Sequence, residues 1–211
     1  MATPAPLEFI TMTRFAAPLL ALALAVSGPS LPGVRFPTPT GDVWVETASP
    51  GAGKPREGVG RGVIEAPPER VVRALADYGH WSEFMPFLVK SAALSQADGS
   101  TLAEHLMKLP APTGERHYRV RFQSKVEAAP AGKTWTIAWA YVAGSGDVKD
   151  HHGSWTLTPL GLGRTLAVLR LYTDPGGLTP QWAVDRGTAE TIPWIFHGLR
   201  QQARRSRYDG P

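Results

Sequence analysis

Three polar side chains lie in otherwise apolar stretches, and their positions could support chemistry inside the fold. His105 lies between Ala103 and Met107 in an alternating segment, so it shares their face of a strand. Arg116 precedes Tyr118, which belongs to another alternating segment. Inward histidine, tyrosine and arginine side chains can orient a polar ligand group or transfer a proton. A hydrogen-bonded core histidine would produce the same pattern at His105, so the residues leave both interpretations open.

A second polar group consists of Asp147, Asp150, His151 and His152, which suggests a metal site or acid–base chemistry. Adjacent histidines on a strand point to opposite faces, so they cannot readily bind one ion together. No third ligand stands at a usable spacing. We therefore interpret the group as a polar hairpin loop, and we expect neither a metal site nor a cofactor.

The sequence also lacks the common catalytic motifs. There is no Gly-x-Ser-x-Gly elbow, no Walker-type loop and no His-Glu-x-x-His pair. The chain has no cysteine, which excludes disulfides, thiolate catalysis and cysteine-bound metals. These absences favour a binding protein over an enzyme with a catalytic loop.

Aromatic side chains supply most of the candidate contacts for an apolar ligand. The chain contains seven tryptophans, several at predicted inward positions, where they could form either a packed core or the wall of a cavity. The candidate ligand contacts are His105, Arg116, Tyr118, Trp139, Trp155, Tyr172 and Trp182. Arg170 could face either inward or outward, because its strand is apolar on both faces and the sequence pattern does not show which face points to the core.

The elements that would position these residues follow from hydrophobic periodicity. A strand over 60–65 is followed by two short helices over 70–76 and 81–86. The remaining predicted strands cover 88–95, 101–109, 116–126, 135–141, 151–159 and 165–173. Clean alternation in the third of these predicts an antiparallel sheet with one solvated face.

A long helix closes the predicted fold. Apolar residues recur at helical spacing and form one stripe over more than twenty residues, namely Trp182, Ala189, Ile192, Phe196, Leu199 and Ala203. Such a helix after the last strand must cover the concave face of the sheet. The sequence therefore predicts an α+β fold in which sheet and helix can enclose a cavity.

The N-terminal region predicts export. Arg14 precedes an apolar run over 15–26 and then small residues, as in a secretory signal peptide over 1–28, with Met12 as a possible true start. A linker rich in Pro and Gly follows over 29–57, with a short strand near Trp44, and the folded domain covers 58–207. We expect a periplasmic or extracellular protein, or a membrane-anchored one if the leader is retained.

Several segments together resemble the START-like, or SRPBCC, helix-grip superfamily of polyketide cyclases, coenzyme-Q-binding proteins and lipid-transfer domains. The resemblance covers about residues 58 to 205, and its pieces are 64–69, 81–86, 116–118, 153–159, 172–177 and the helix from Pro180. It implies a curved seven-stranded antiparallel sheet around the C-terminal helix, with two short helices after the first strand and an internal hydrophobic cavity. The fold does not determine the ligand.

This resemblance and the pattern of residues predict a monomeric, non-enzymatic carrier of a lipid or other hydrophobic small molecule, with transient membrane contact. An export signal argues against the alternative of a polyketide cyclase or aromatase, which would use His105, Arg116 and Tyr118. A third alternative is a partner-binding module that uses the basic C-terminus around Arg204 and Arg205. The net charge of +4 is modest, and no basic stripe interleaved with aromatics indicates nucleic acid.

Overall fold

The computed structural model describes residues 31–48, 57–111, 113–130, 132–177 and 179–210. The predicted signal peptide lies outside these residues. The described strands form one antiparallel sheet in the order β1-β2-β3-β9-β8-β7-β6-β5-β4. Its strands are β1 (Val34–Phe36), β2 (Val43–Ala48), β3 (Glu57–Ile64), β4 (Leu88–Ala97), β5 (Ser100–Lys108), β6 (Glu115–Ala129), β7 (Gly132–Tyr141), β8 (Asp150–Gly161) and β9 (Arg164–Asp174).

In the part of the chain that the structure describes, two α-helices accompany this sheet. Helix α1 covers Pro68–Ala76 and begins with proline in its first turn, where the missing N–H is not needed. Helix α2 covers Gln181–Gln202 and packs against β2, β3 and β9. Short 3₁₀ helices cover Tyr78–Glu83 and Ser206–Tyr208. This arrangement confirms the predicted α+β helix-grip fold, with nine strands in place of the seven expected.

Alternating burial on the central strands produces a concave apolar face. In β6, Tyr118, Val120 and Phe122 are buried, whereas Arg119 and Arg121 between them are exposed. Side chains alternate across a strand, so the apolar set faces α2 and the charged set faces solvent. The alternation predicted from the sequence therefore sets the two faces of the sheet here.

The short strand predicted near Trp44 is confirmed as β2, but the segment is not a linker, because β1 and β2 both belong to the sheet. Val43 and Val45 are buried in the core, and Trp44 lies on the other face opposite Arg61. Buried Arg200 of α2 donates hydrogen bonds to the backbone carbonyls of Gly41 and Asp42 at 2.8 and 2.7 Å. The sheet thus begins well before the predicted domain boundary at residue 58.

Alternate glycines on β3 allow α2 to lie close to the sheet. A Cβ atom on Gly58 would lie 2.7 Å from Ile192, and one on Gly62 would lie 2.9 Å from Phe196. A Cβ on Gly60 would overlap Ile192 and lie 2.8 Å from Phe196. These distances are shorter than real carbon contacts, so the helix can pack here only against glycine.

The predicted stripe on α2 is buried in its second half and fails at its start. Ile192, Phe196 and Leu199 are fully buried, but Trp182 is 69% exposed. Trp182 lies on the helix face of the half-buried Ala189, at the edge of the stripe. An α-helix turns by 100° per residue. In the first half of α2 the side chains that are buried are Val184 and Thr188, which lie on a different face of the helix from Trp182.

Candidate functional site

A cavity of about 970 Å³ lies between the sheet and the first half of α2. Its volume falls at the upper end of the roughly 300–1,000 Å³ typical of small-molecule pockets. We call its buried side, made of sheet residues and one residue of the first 3₁₀ helix, the inner wall; it is formed by Trp81, His105, Tyr118, Trp139, His151, Trp155, Leu169 and Leu171. We call its opening the rim, which includes Phe87, Arg116, Pro175, Trp182 and Trp194.

Six of the seven predicted contact residues line this cavity, and Tyr172 does not. Its neighbours Leu171 and Thr173 face the cavity, whereas the ring of Tyr172 lies on the opposite face, 5.1 Å from that of His152. Arg170 also lies outside, where it pairs with Glu57 at 3.4 Å. Strand β9 is apolar on both faces, so its sequence pattern could not assign the inward phase.

Three polar rings lie together on the inner wall. His105 and Tyr118 are opposite each other in the β5–β6 register, and their ring centres lie 5.4 Å apart. The ring of His151 lies 5.1 Å from that of Tyr118, and its Nδ1 lies 2.9 Å from Thr173 Oγ1. Burial lowers the pKa of His105 to about 4 and that of His151 to about 3. Both imidazoles are therefore neutral at pH 7.

His151 is a cavity residue that the sequence analysis missed. The strand predicted over 151–159 is confirmed, since β8 covers Asp150–Gly161; the interpretation of His151 as part of a polar hairpin loop is wrong. The two histidines do point to opposite faces: His152 lies outside, 3.0 Å from Asp150 and 3.5 Å from Glu57. Alternate residues of a strand share a face, so His151 lies on the same face as Gly153 and Trp155. This alternation predicts that His151 faces inward.

Three tryptophans form most of the rest of the inner wall, beside Leu169 and Leu171. Trp81, from the 3₁₀ helix, donates its indole N–H to the Leu75 carbonyl at 2.9 Å. Trp139 packs over Gly153, where a Cβ atom would overlap its ring. Trp155 contacts Phe196 of α2 with ring centres 5.1 Å apart. These rings give the wall an apolar surface suited to a hydrophobic ligand.

Arg116 supplies a positive charge at the rim. Its Nε donates to the Pro175 carbonyl at 2.8 Å, and its Nη1 donates to the Glu115 carbonyl at 2.9 Å. Among the residues that the structure describes, no carboxylate forms an ion pair with Arg116. The backbone carbonyls thus fix the guanidinium without neutralising it.

Within the described ranges, no group of three or more histidine, aspartate or glutamate side chains could hold a metal ion. Over the same residues, no helix is both long enough and apolar enough to span a lipid bilayer.

Solved structures share this architecture. A STAR-related lipid transfer protein from Xanthomonas axonopodis is 23% identical with a TM-score of 0.63, and the match covers 78% of this chain and 93% of that one. Human STARD10 is 13% identical with a TM-score of 0.63, covering 79% and 70%. The Zhui aromatase/cyclase from Streptomyces sp. R1128 is 19% identical with a TM-score of 0.56, covering 72% and 97%. At these identities the likeness shows the fold.

No curated protein sequence matches the chain significantly. A family model described as polyketide cyclase / dehydrase and lipid transport matches residues 64–200, from the end of β3 almost to the end of α2. This range contains the cavity, its inner wall and its rim. The chain belongs to the polyketide cyclase / dehydrase and lipid transport family.

Proposed function

We propose that the protein is a carrier that holds a lipid or other hydrophobic small molecule between its sheet and α2. The observation that carries this proposal is the cavity of about 970 Å³ with aromatic and aliphatic walls. Transfer of apolar ligand surface from water contributes roughly 25 cal/mol per Å², before the cost of ordering the ligand. An apolar cavity of this size can therefore bind a ligand by removing much of the ligand's apolar surface from water.

Mass spectrometry of an organic extract of the purified full chain tests this function first. A stoichiometric hydrophobic compound would support the carrier. Titration with the neutral probe N-phenyl-1-naphthylamine provides a second readout, because its fluorescence rises in apolar surroundings. No extracted compound and no probe binding would contradict the proposal.

A variant that fills the cavity tests whether the probe binds there. Leu171→Trp enlarges an inner-wall side chain toward the void, so we expect probe affinity to fall about tenfold or more. Val168→Trp is the matched control, because Val168 lies on the same strand with the opposite phase. Equal effects of the two substitutions would show that the probe binds elsewhere.

We propose further that the rim contacts a membrane transiently during ligand exchange. Phe87, Trp182 and Trp194 are 43%, 69% and 54% exposed although they are large and apolar. Aromatic side chains favour the membrane–water interface, where an apolar ring can insert beside polar headgroups. Exposed aromatics around an opening would let a ligand pass between bilayer and cavity without crossing water.

Sedimentation with phosphatidylcholine vesicles tests this contact. Trp182→Ser should reduce the vesicle-bound fraction several-fold. Leu162→Ser is the control: Leu162 is 94% exposed, but it lies in the β8–β9 turn, at the end of β9 away from Pro175. Equal binding by the wild type and both variants would rule out the rim as the contact.

Export is a separate proposal, supported by the leader pattern around Arg14 and the apolar run over 15–26. The mature protein would then act in the periplasm or outside the cell, or on a membrane if the leader is retained. N-terminal sequencing of the protein recovered from each cell fraction tests this. A cytoplasmic chain with an intact leader would contradict export.

A cyclase is the second candidate function, and the cluster of His105, Tyr118 and His151 favours it. A neutral imidazole can accept a proton from carbon beside a ketone, while a tyrosine hydroxyl can donate a hydrogen bond to the carbonyl. Cyclisation of a poly-ketone substrate would be detected by absorbance of the aromatic product. Turnover abolished by Tyr118→Phe would favour this candidate over the carrier.

A further inference from the structure

The inner wall contains polar atoms that have no partner inside the protein. His105 Nε2 and the indole nitrogens of Trp139 and Trp155 are buried, and none has a hydrogen-bond partner among the described residues. Buried polar groups are almost always hydrogen-bonded, and an unpaired one is destabilising. All three atoms belong to side chains that line one cavity, which points to a guest that can form hydrogen bonds.

These groups can both donate and accept hydrogen bonds. A neutral imidazole carries one N–H donor and one acceptor nitrogen, an indole donates, and a tyrosine hydroxyl does both. The ring centres of His105 and His151 lie 5.4 and 5.1 Å from that of Tyr118. A ligand oxygen among these rings would thus find donors and an acceptor within one small region.

Charge separates the inner wall from the rim. Among the described residues that line the cavity, the arginine, lysine, aspartate and glutamate side chains are Arg116 and Glu190, and neither belongs to the inner wall. Burial lowers the pKa of both inner-wall histidines and raises that of Tyr118, so these groups stay neutral. A carboxylate or phosphate on the inner wall would be buried without a cation to pair with, which is strongly unfavourable.

We infer that the inner wall binds an uncharged oxygen of the ligand, a hydroxyl or a ketone carbonyl, through His105, Tyr118 and His151. The ligand class is therefore a neutral long-chain or ring alcohol or ketone, with its oxygen directed inward. An ionised headgroup is confined to the rim beside Arg116. This inference rests on the carrier function proposed above and specifies the ligand for the same cavity.

The wild-type full chain tests the inference with four ligands of equal chain length: dodecane, 1-dodecanol, 2-dodecanone and dodecanoate. Each competes against N-phenyl-1-naphthylamine at a pH of about 8, where the carboxylic acid is ionised. One good hydrogen bond corresponds to about a tenfold change in affinity. We expect the alcohol and the ketone to bind about tenfold more tightly than dodecane, and dodecanoate to bind more weakly than either.

Two variants test which side chains bind the ligand oxygen. Tyr118→Phe and His105→Phe keep an aromatic ring and remove the polar atoms, so each should reduce the preference for 1-dodecanol over dodecane to less than threefold. Tyr141→Phe is the matched control, because the Tyr141 hydroxyl donates to the Gly146 carbonyl outside the cavity lining. The preference in this control should equal that of the wild type.

The outcomes separate this inference from the carrier function. Equal affinities for dodecane, 1-dodecanol and 2-dodecanone would overturn oxygen recognition and leave the carrier standing. Dodecanoate binding as tightly as 1-dodecanol would also overturn it, because a charged group would then be accepted. If both Tyr118→Phe and His105→Phe keep the wild-type preference for 1-dodecanol over dodecane, the ligand oxygen is not bound by the inner wall and the inference is wrong. Absence of probe binding itself would overturn both proposals.

Discussion

Replacing Gly60 with alanine tests how α2 is held against the sheet. The added methyl group would overlap Ile192 and lie 2.8 Å from Phe196, two side chains with no exposed surface. Overpacking of this kind in a well-packed core costs about 1–3 kcal/mol. For a domain of this size, a loss of about 2 kcal/mol lowers the Tm by roughly 4–8 °C. We expect this loss in guanidinium titration and in thermal unfolding.

A second glycine provides the control for this substitution. Gly187 lies within α2 and is exposed, and a Cβ atom there would meet nothing within 4 Å. Gly187→Ala should therefore stabilise the protein by about 0.5–1 kcal/mol through the helix preference of alanine. If Gly60→Ala leaves the free energy of unfolding within about 0.5 kcal/mol of the wild type, the close packing of α2 on β3 is refuted.

Three further substitutions test other parts of the molecule. Trp155→Ala removes a fully buried ring that packs on Phe196, so we expect a loss of about 3–5 kcal/mol in denaturant titration. The pKa of His105 is lowered to about 4 and that of His151 to about 3, so the unfolded chain binds more protons below a pH of about 6.5 and stability falls from there toward pH 3. His105→Phe should make this fall shallower when unfolding is measured across that range. Arg200→Leu removes the hydrogen bonds that the guanidinium donates to the carbonyls of Val63, Gly41 and Asp42, of which Gly41 keeps the hydroxyl of Thr38 as a donor; the loss should cost on the order of 2–3 kcal/mol and release β2 in hydrogen exchange.

The central sheet and the inner wall could be predicted from the sequence because their signal is local. Alternation alone placed His105, Tyr118 and Trp139 on one face, and each lies there. A strand with one solvated face must alternate polar and apolar residues, so its inward phase can be determined without knowledge of its neighbours. The same alternation also predicts the inward position of His151, which lies two residues before Gly153 on β8.

The errors have a common physical cause, since each depends on a partner distant in sequence. The segment rich in Pro and Gly belongs to the sheet and not to a linker, and the hydrogen bonds from Arg200 that fix it span more than 150 residues. Tyr172 lies in a strand that is apolar on both faces, so its phase is set by pairing with β3 and β8. Trp182 is exposed because the first turn of α2 does not lie against the sheet there. Helical periodicity shows which residues share a face, but not which part of the helix contacts the sheet.

The two halves of α2 therefore have different physical roles. In the second half, Ile192 and Phe196 fill the space above the glycines of β3, and burial there stabilises the fold. In the first half, Thr188 and Val184 face a cavity of about 970 Å³, and the apolar surface that remains uncovered becomes available to a ligand. A ligand that fills this space stabilises only the folded chain, by an amount that grows with its concentration relative to its Kd. A substitution at Gly60 should then lower stability with or without ligand, whereas Leu171→Trp should remove chiefly the part of the stability that the ligand supplies.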